Sequence, residues 1–323
     1  MFCCPAYRFP VADLPYGYRK YTRERPFKSC LFWILLRSCR RAYNIRNDVP
    51  GVEKMCEFCT THGEGKIWYK NAANYARDLL SDLNRRRYIE NFLTSAFAEG
   101  FQTLGRLETI YRKKGRLPKA VEASLVARAR KEHFGQVLPI EEISGLVQKA
   151  RTVVRMPCAC RWDIEKKEER CCYAVSYGPE AWYDSIDMSY FGKASDEGLE
   201  SLTAEAAVQQ METMEEQGAV HTIWTLMTPF IGAVCNCSAE GCLAMRTLSR
   251  INVETMARAE HVARVDASLC NGCGLCDAAC HFRAIGSISL EGRILSRIDI
   301  RKCFGCGLCR RACPARAISL VLR

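Results

Sequence analysis

Apolar residues recur at steps of three and four through the first readable part of the chain: Trp68, Ala72, Tyr75, Leu79 and Leu83, then Ile89, Leu93, Ala96 and Phe97, then Leu104, Leu107 and Tyr111. That spacing keeps one stripe on one helical face. It predicts helices over 68–114, broken at Gly115 and Pro118, a further helix over 119–134, and a short one over 140–150 behind Pro139. Val153-Val154-Arg155-Met156 then switches to the look of a strand, leading into Cys158-Ala159-Cys160. From 203 the helical period returns, with Thr203 as N-cap, Ala207, Val208, Met211 and Met214 inward, Glu205, Gln209, Glu212 and Glu216 outward, and Gly218 as C-cap. Residues 219–224 alternate as a strand should, and Ile231–Val234 form an apolar run ahead of Cys235-Asn236-Cys237. Residues 1–54 show no sustained period of either kind.

Cysteine changes this picture most, since the chain has 21 of them in 323 residues. In a chain of this length, paired and clustered thiols point to metal in a reducing compartment such as the cytoplasm, and not to a disulfide scaffold. Cys158 and Cys160, Cys171 and Cys172, and Cys235, Cys237 and Cys242 are seven thiols that one module can bring together. A period of two would put both members of each Cys-x-Cys on one side of a strand. Cys158, Cys160, Cys172, Cys235 and Cys237 are the candidate ligands of a centre there, holding an iron–sulfur cluster or zinc. The alternative is inert buried Cys acting as a small hydrophobe. Cys56, Cys59 and His62 make half of a ligand set and need a second pair. The neighbouring Gly63-Glu-Gly65-Lys66 lacks the earlier Gly and the Ser/Thr of a phosphate loop.

The densest pattern lies at 270–314. Cys270, Cys273, Cys276 and Cys280 form one C-x2-C-x2-C-x3-C run; Cys303, Cys306, Cys309 and Cys313, followed by Pro314, form a second. Gly272, Gly274, Gly305 and Gly307 supply the positive φ that a loop wrapped round a cluster needs. Ala284-Ile285 and Ala317-Ile318 repeat after the runs. This segment resembles the bacterial two-cluster ferredoxin, in which the fourth Cys of each run ligates the other cluster. The resemblance implies two [4Fe-4S] clusters, one on Cys270, Cys273, Cys276 and Cys313 and one on Cys303, Cys306, Cys309 and Cys280, with short strands beneath them. His281 stands where that family usually has Pro. More loosely, 55–263 is similar to the leading part of longer iron–sulfur proteins of anaerobic microbes, through its Cys-x-Cys-Arg and Cys-Asn-Cys elements.

Charge adds a polarity along the chain. Of the net +11, residues 1–54 carry +7 and 264–323 carry +6, which leaves 55–263 at −2. Arg283, Arg301, Lys302, Arg310 and Arg311 flank the C-terminal runs, offsetting cluster charge and offering a surface to an acidic redox partner. Arg85-Arg86-Arg87 and Lys113-Lys114 read as solvated faces and not as nucleic-acid contacts. Leu31–Leu36 is too short to span a bilayer, which needs about 20 apolar residues. No dinucleotide fingerprint, nucleophile elbow or His-rich catalytic set is legible.

The expected fold is α+β: a basic extension at 1–54, with Met55 as the natural start; a mainly helical, Cys-rich module formed of a helical region (55–150) and a Cys-rich region (151–263); and a small ferredoxin-like domain at 264–323. The expected function is single-electron transfer, as a carrier or wiring subunit of an anaerobic oxidoreductase. A substrate site at the Cys158/Cys172/Cys237 centre is the enzymatic alternative. A redox-sensing regulator is the third, resting on the winged-helix look of 203–224.

Overall fold

The computed structural model describes residues 67–177, 182–290 and 292–323. The expectations for 1–54 and for Cys56, Cys59 and His62 lie outside these residues.

Short 3-10 turns from Trp68 to Ser81 lead into α1 (Leu83–Glu90), where Asp82 caps the first turn through its carboxylate. A π-helical segment, Phe92–Ala98, runs into α2 (Glu99–Lys114), which ends at Gly115 with φ 69°. Then come α3 (Lys119–Glu132), β1 (Gly135–Val137), α4 (Ile140–Val147) and β2 (Thr152–Met156). They are followed by α5 (Ala159–Glu165), β3 (Cys172–Ser176), β4 (Glu200–Leu202), α6 (Ala204–Glu216), β5 (Val220–Thr225), β6 (Ile231–Cys237), α7 (Leu243–Ile251) and β7 (Met256–Ala257). The helices expected at 119–134, 140–150 and 203–217 are all present, and Thr203 caps α6 by accepting from the Ala206 amide.

Seven strands, in the order β4-β2-β3-β6-β5-β1-β7, form one sheet on which the helices pack. Every pairing is antiparallel except β1 with β7. On one face, Val153, Tyr173, Ile223 and Val234 pack with Ile143 and Val147 of α4 and Ala207 and Met211 of α6. On the other, Val154, Met156, Ala174 and Leu226 pack with Ile89, Phe92 and Leu93. The helix-then-strand look of 203–224 thus belongs to a seven-stranded α/β layer and not to a small winged helix.

Two local expectations fail: residues 68–81 form short 3-10 turns in place of the start of a regular helix, and the Cys-x-Cys strand end at 158–160 is absent. Cys158 and Cys160 are not on a strand: β2 ends at Met156, Cys158 is the N-cap of α5, and Cys160 lies in its first turn. Pro157 explains the break, since it cannot donate to a ladder.

In the C-terminal segment, β8 (His261–Val265) pairs with β11 (Ile318–Leu322), and β9 (Ile285–Leu290) pairs with β10 (Arg293–Ile298). One-turn helices α8 (Leu275–Ala278) and α9 (Leu308–Arg311) each carry the third Cys of their run, Cys276 and Cys309. Strands β9 and β11 begin at Ile285 and Ile318, the two places the repeated Ala-Ile pair marked.

Candidate metal centres

Two small cavities sort the eight C-terminal cysteines into two sets of four. Cys270, Cys273, Cys276 and Cys313 line the first with Val265, Ser296 and Ile318. Cys280, Cys303, Cys306 and Cys309 line the second with Ala263, Phe282 and Ile298. Each set takes three thiols from one run and the last thiol of the other. The donors suit iron–sulfur clusters: all eight are soft sulfurs, and no carboxylate lines either cavity. The amides of Ala284 and Ala317 donate to the sulfurs of Cys280 and Cys313 at 3.4 and 3.3 Å. A guanidinium holds the first carbonyl of each loop: Arg293 donates to Cys270 O at 3.0 Å and Arg323 to Cys303 O at 2.7 Å. Burial pushes the Cys309 thiol up to about 12, and nearby Cys303, Cys280 and Cys276 add to it. Four thiols lining one cavity suit a cation that can share their charge.

The two loops are not equivalent toward solvent. Leu275 and Leu308 hold the same place in the repeat, yet Leu275 is 52% exposed and Leu308 4%. Cys273 is exposed, whereas its counterpart Cys306 is half-buried. The second loop is covered by the α/β module: Phe304 and Leu308 pack with Val137, Val220 and Trp224. Phe282 stacks on Phe304 at 4.2 Å, and the Arg258 guanidinium lies 5.0 Å from the Phe304 ring centre. Arg310 pairs with Glu141 at 2.5 Å and Arg311 with Glu216. His281, the residue in place of Pro, donates through Nε2 to the Gly218 carbonyl at 2.7 Å.

The seven interior thiols also come together. Strand register does part of this: Cys172 faces Cys235 across β3 and β6, and Cys237 follows two residues on, on the same sheet face. Cys158 and Cys160 reach them from the start of α5, and Cys242 from the N-cap of α7. The sulfurs of Cys158, Cys171 and Cys172 lie within 4.8 Å of one another. Hydrogen bonds from Cys160, Cys171 and Cys172 hold the Cys158 thiol well below its ordinary range. Bonds from Cys160 and Cys237 do the same for Cys242. The hydrogen bonding therefore converges on Cys158 and Cys242, with Cys160 between them. Such depressed thiols are the ones a soft cation binds. Met214, Phe97 and Leu243 close over Cys158, Cys160 and Cys171.

His133, which has no sequence partner, sits beside this group. Its ring stacks on Trp224 at 4.6 Å and 12°, and Nδ1 lies 2.7 Å from the Thr225 carbonyl. Burial lowers its pKa to about 4, so at neutral pH it is uncharged, with Nδ1–H donating. Cys171 and Cys242, members of the seven-thiol set but not of its five candidate ligands, lie in the group as well, and His133 reaches it through contacts between segments far apart in sequence, which no local spacing signals.

Residues 263–320 match the family model of a 4Fe-4S dicluster domain. The match covers both Cys runs and none of the interior thiols. No curated protein matches the chain. A dicluster domain implies iron–sulfur electron transfer. Among the described residues, no helix is long and apolar enough to cross a membrane.

Proposed function

We propose that this chain is the electron-transfer part of an oxidoreductase, in which the dicluster domain serves a second, thiol-bound iron centre inside the α/β module. The assigned ligands are Cys270, Cys273, Cys276 and Cys313 for one [4Fe-4S] cluster and Cys280, Cys303, Cys306 and Cys309 for the other. Bound there, the clusters would exchange single electrons; the protein sets their surroundings and their docking. The interior centre is assigned to Cys158, Cys171 and Cys172, with Cys160, Cys235, Cys237 and Cys242 completing its shell.

One observation carries this reading. Cys306, Phe304 and Leu308 of the second loop belong to the same apolar core as Cys235, Cys237 and Cys242. A carrier has no need to bury one of its two cluster loops against a second set of thiols. The exposed first loop, with Cys273, Leu275 and Leu269 at the surface, is then the side open to a redox partner. Of the five cations that flank the runs, Arg310, Arg311 and Arg301 are engaged by Glu141, Glu216 and Asp299, which leaves Arg283 and Lys302 to meet an acidic partner. The reducing cytoplasm of an anaerobe is the compartment this chemistry suits.

The test is iron, acid-labile sulfide and zinc content of anaerobically purified protein, with EPR after dithionite reduction. More than eight irons per chain, falling to about eight in a Cys158→Ala/Cys172→Ala variant, is the expected result. Eight irons plus zinc would confine redox chemistry to the dicluster domain and overturn the interior iron centre. Fewer than about four irons would overturn the two-cluster assignment as well.

A further inference from the structure

A cavity of about 230 Å³ lies against the interior thiols and opens between α2, α3 and α7. One wall is sulfur: Cys158, Cys160, Cys172, Cys235, Cys237 and Cys242 all line it. The rest of the lining is mainly apolar and includes the aromatic rings of Phe92, Phe97 and Trp224 beside Leu104, Met156 and Leu226. Cys171 does not line the cavity, so the close Cys158/Cys171/Cys172 triad sits at its edge and does not enclose it. A dry cavity of roughly 150 Å³ with walls of this kind admits a benzene-sized molecule. This one is larger, and it has a mouth.

Charge and hydrogen bonding narrow what fits. The charged side chains along the lining answer one another or a neighbour: Arg128 pairs with Glu132 at 2.7 Å, and Arg161 with Glu169. With those guanidiniums already paired, an anion entering would lose its hydration without gaining a counter-charge. The polar groups of Asn236 are already used, by His221 and by the Cys171 carbonyl. His133 spends Nδ1 on the Thr225 carbonyl, which leaves Nε2 as a neutral acceptor.

We propose that this cavity is the substrate chamber of the interior centre, and that it takes a small, uncharged, phenol-like molecule: an apolar body of about ten non-hydrogen atoms or fewer with one hydroxyl donating to His133 Nε2. Its role as a substrate site rests on the metal-centre reading of the thiol wall; its occupancy does not.

The test is calorimetric titration of the anaerobically purified, metal-loaded full chain with p-cresol, toluene and 4-hydroxybenzoate, with metal content measured on the same samples. p-Cresol should bind more tightly than toluene by about threefold to tenfold, the range of one neutral hydrogen bond. 4-Hydroxybenzoate should not bind. His133→Phe keeps the aromatic wall and should bring p-cresol down to the level of toluene. Leu104→Trp should abolish binding of both, and Ala233→Leu serves the same purpose if the tryptophan variant does not fold. Equal binding of 4-hydroxybenzoate, no binding of p-cresol, or binding only to metal-free protein would each overturn the chamber. Binding that behaves as expected in protein with no metal beyond the dicluster domain would leave the chamber standing and sink the interior metal centre.

Discussion

Gly274 and Gly305 have nearly the same backbone, with φ of 78° and 73°, but opposite surroundings. A Cβ on Gly274 would meet nothing within 4 Å, whereas one on Gly305 would run into the carbonyl of His261 on β8. Gly274→Ala should therefore cost only the left-handed backbone penalty, about 1–2 kcal/mol. Gly305→Ala should cost about 1–3 kcal/mol more, since β8 has to move. Denaturant unfolding of the two variants measures the difference, and equal losses would mean that β8 yields freely. Glu215 makes a second residue-scale case. It is 4% exposed, its Oε1 has no hydrogen-bond partner, and burial raises its pKa despite Arg311 and Arg310 nearby. The folded state thus holds its proton more tightly than the unfolded chain, and stability falls as pH rises from the ordinary value near 4.5 through the folded pKa. Glu215→Gln should gain on the wild type as pH rises through that window and show its smallest advantage at pH 4. Melting temperatures at pH 4 and pH 7 test this, and a constant offset would show that burial does not control the group.

At the level of elements, the seam between the dicluster domain and the α/β module has two kinds of contact. Arg310–Glu141 and Arg311–Glu216 are partly exposed ion pairs, each contributing roughly 0–1 kcal/mol. Phe304 is 2% exposed and packed among apolar neighbours, where truncation costs about 3–5 kcal/mol. Phe304→Ala should therefore destabilise the protein several times more than Arg310→Ala, and only the arginine variant's loss should vanish in high salt. Urea unfolding at low and high salt separates the two. The same contrast explains what could be read in advance. The eight C-terminal cysteines were legible because C-x2-C-x2-C-x3-C is one local loop, and its two copies identify each other. The amphipathic α6 was legible because thirteen residues carry several turns of period. Strands β1 and β7, of three and two residues, carry too little sequence for any period, and they exist because neighbours pair with them. The interior thiols lay between these cases. Their grouping could be suspected from the sequence, but which sulfurs meet depends on the β3/β6 register and on Pro157 ending β2, so Cys171 and Cys242, counted among the seven thiols, were left out of the candidate ligands.

For the whole molecule, the seam decides whether the dicluster domain is an appendage or a structural member. The described residues form one compact unit, and the second Cys loop supplies Phe304 and Leu308 to a core that also contains Val137, Val220, Trp224 and Met245. A cation bound by its thiols would draw loop 303–309 together: burial favours Cys306 and Cys309 as neutral thiols, and only a bound cation offsets the cost of holding both as thiolates. Loss of that cation should loosen the loop, withdraw Phe304 and Leu308, and expose the sheet edge formed by β1 and β7. Cys309→Ser should therefore do more than empty one cluster site: amides of β1 and β5 should lose hydrogen-exchange protection, although they lie outside the matched domain. Cys273→Ser, in the solvent-facing loop, should leave those amides close to wild type while lowering iron content in the same way. Exchange measured by mass spectrometry on both variants tests this directly. If the two variants protect β5 equally well, the module does not depend on the second loop, and the shared core would be a surface contact between independently stable parts.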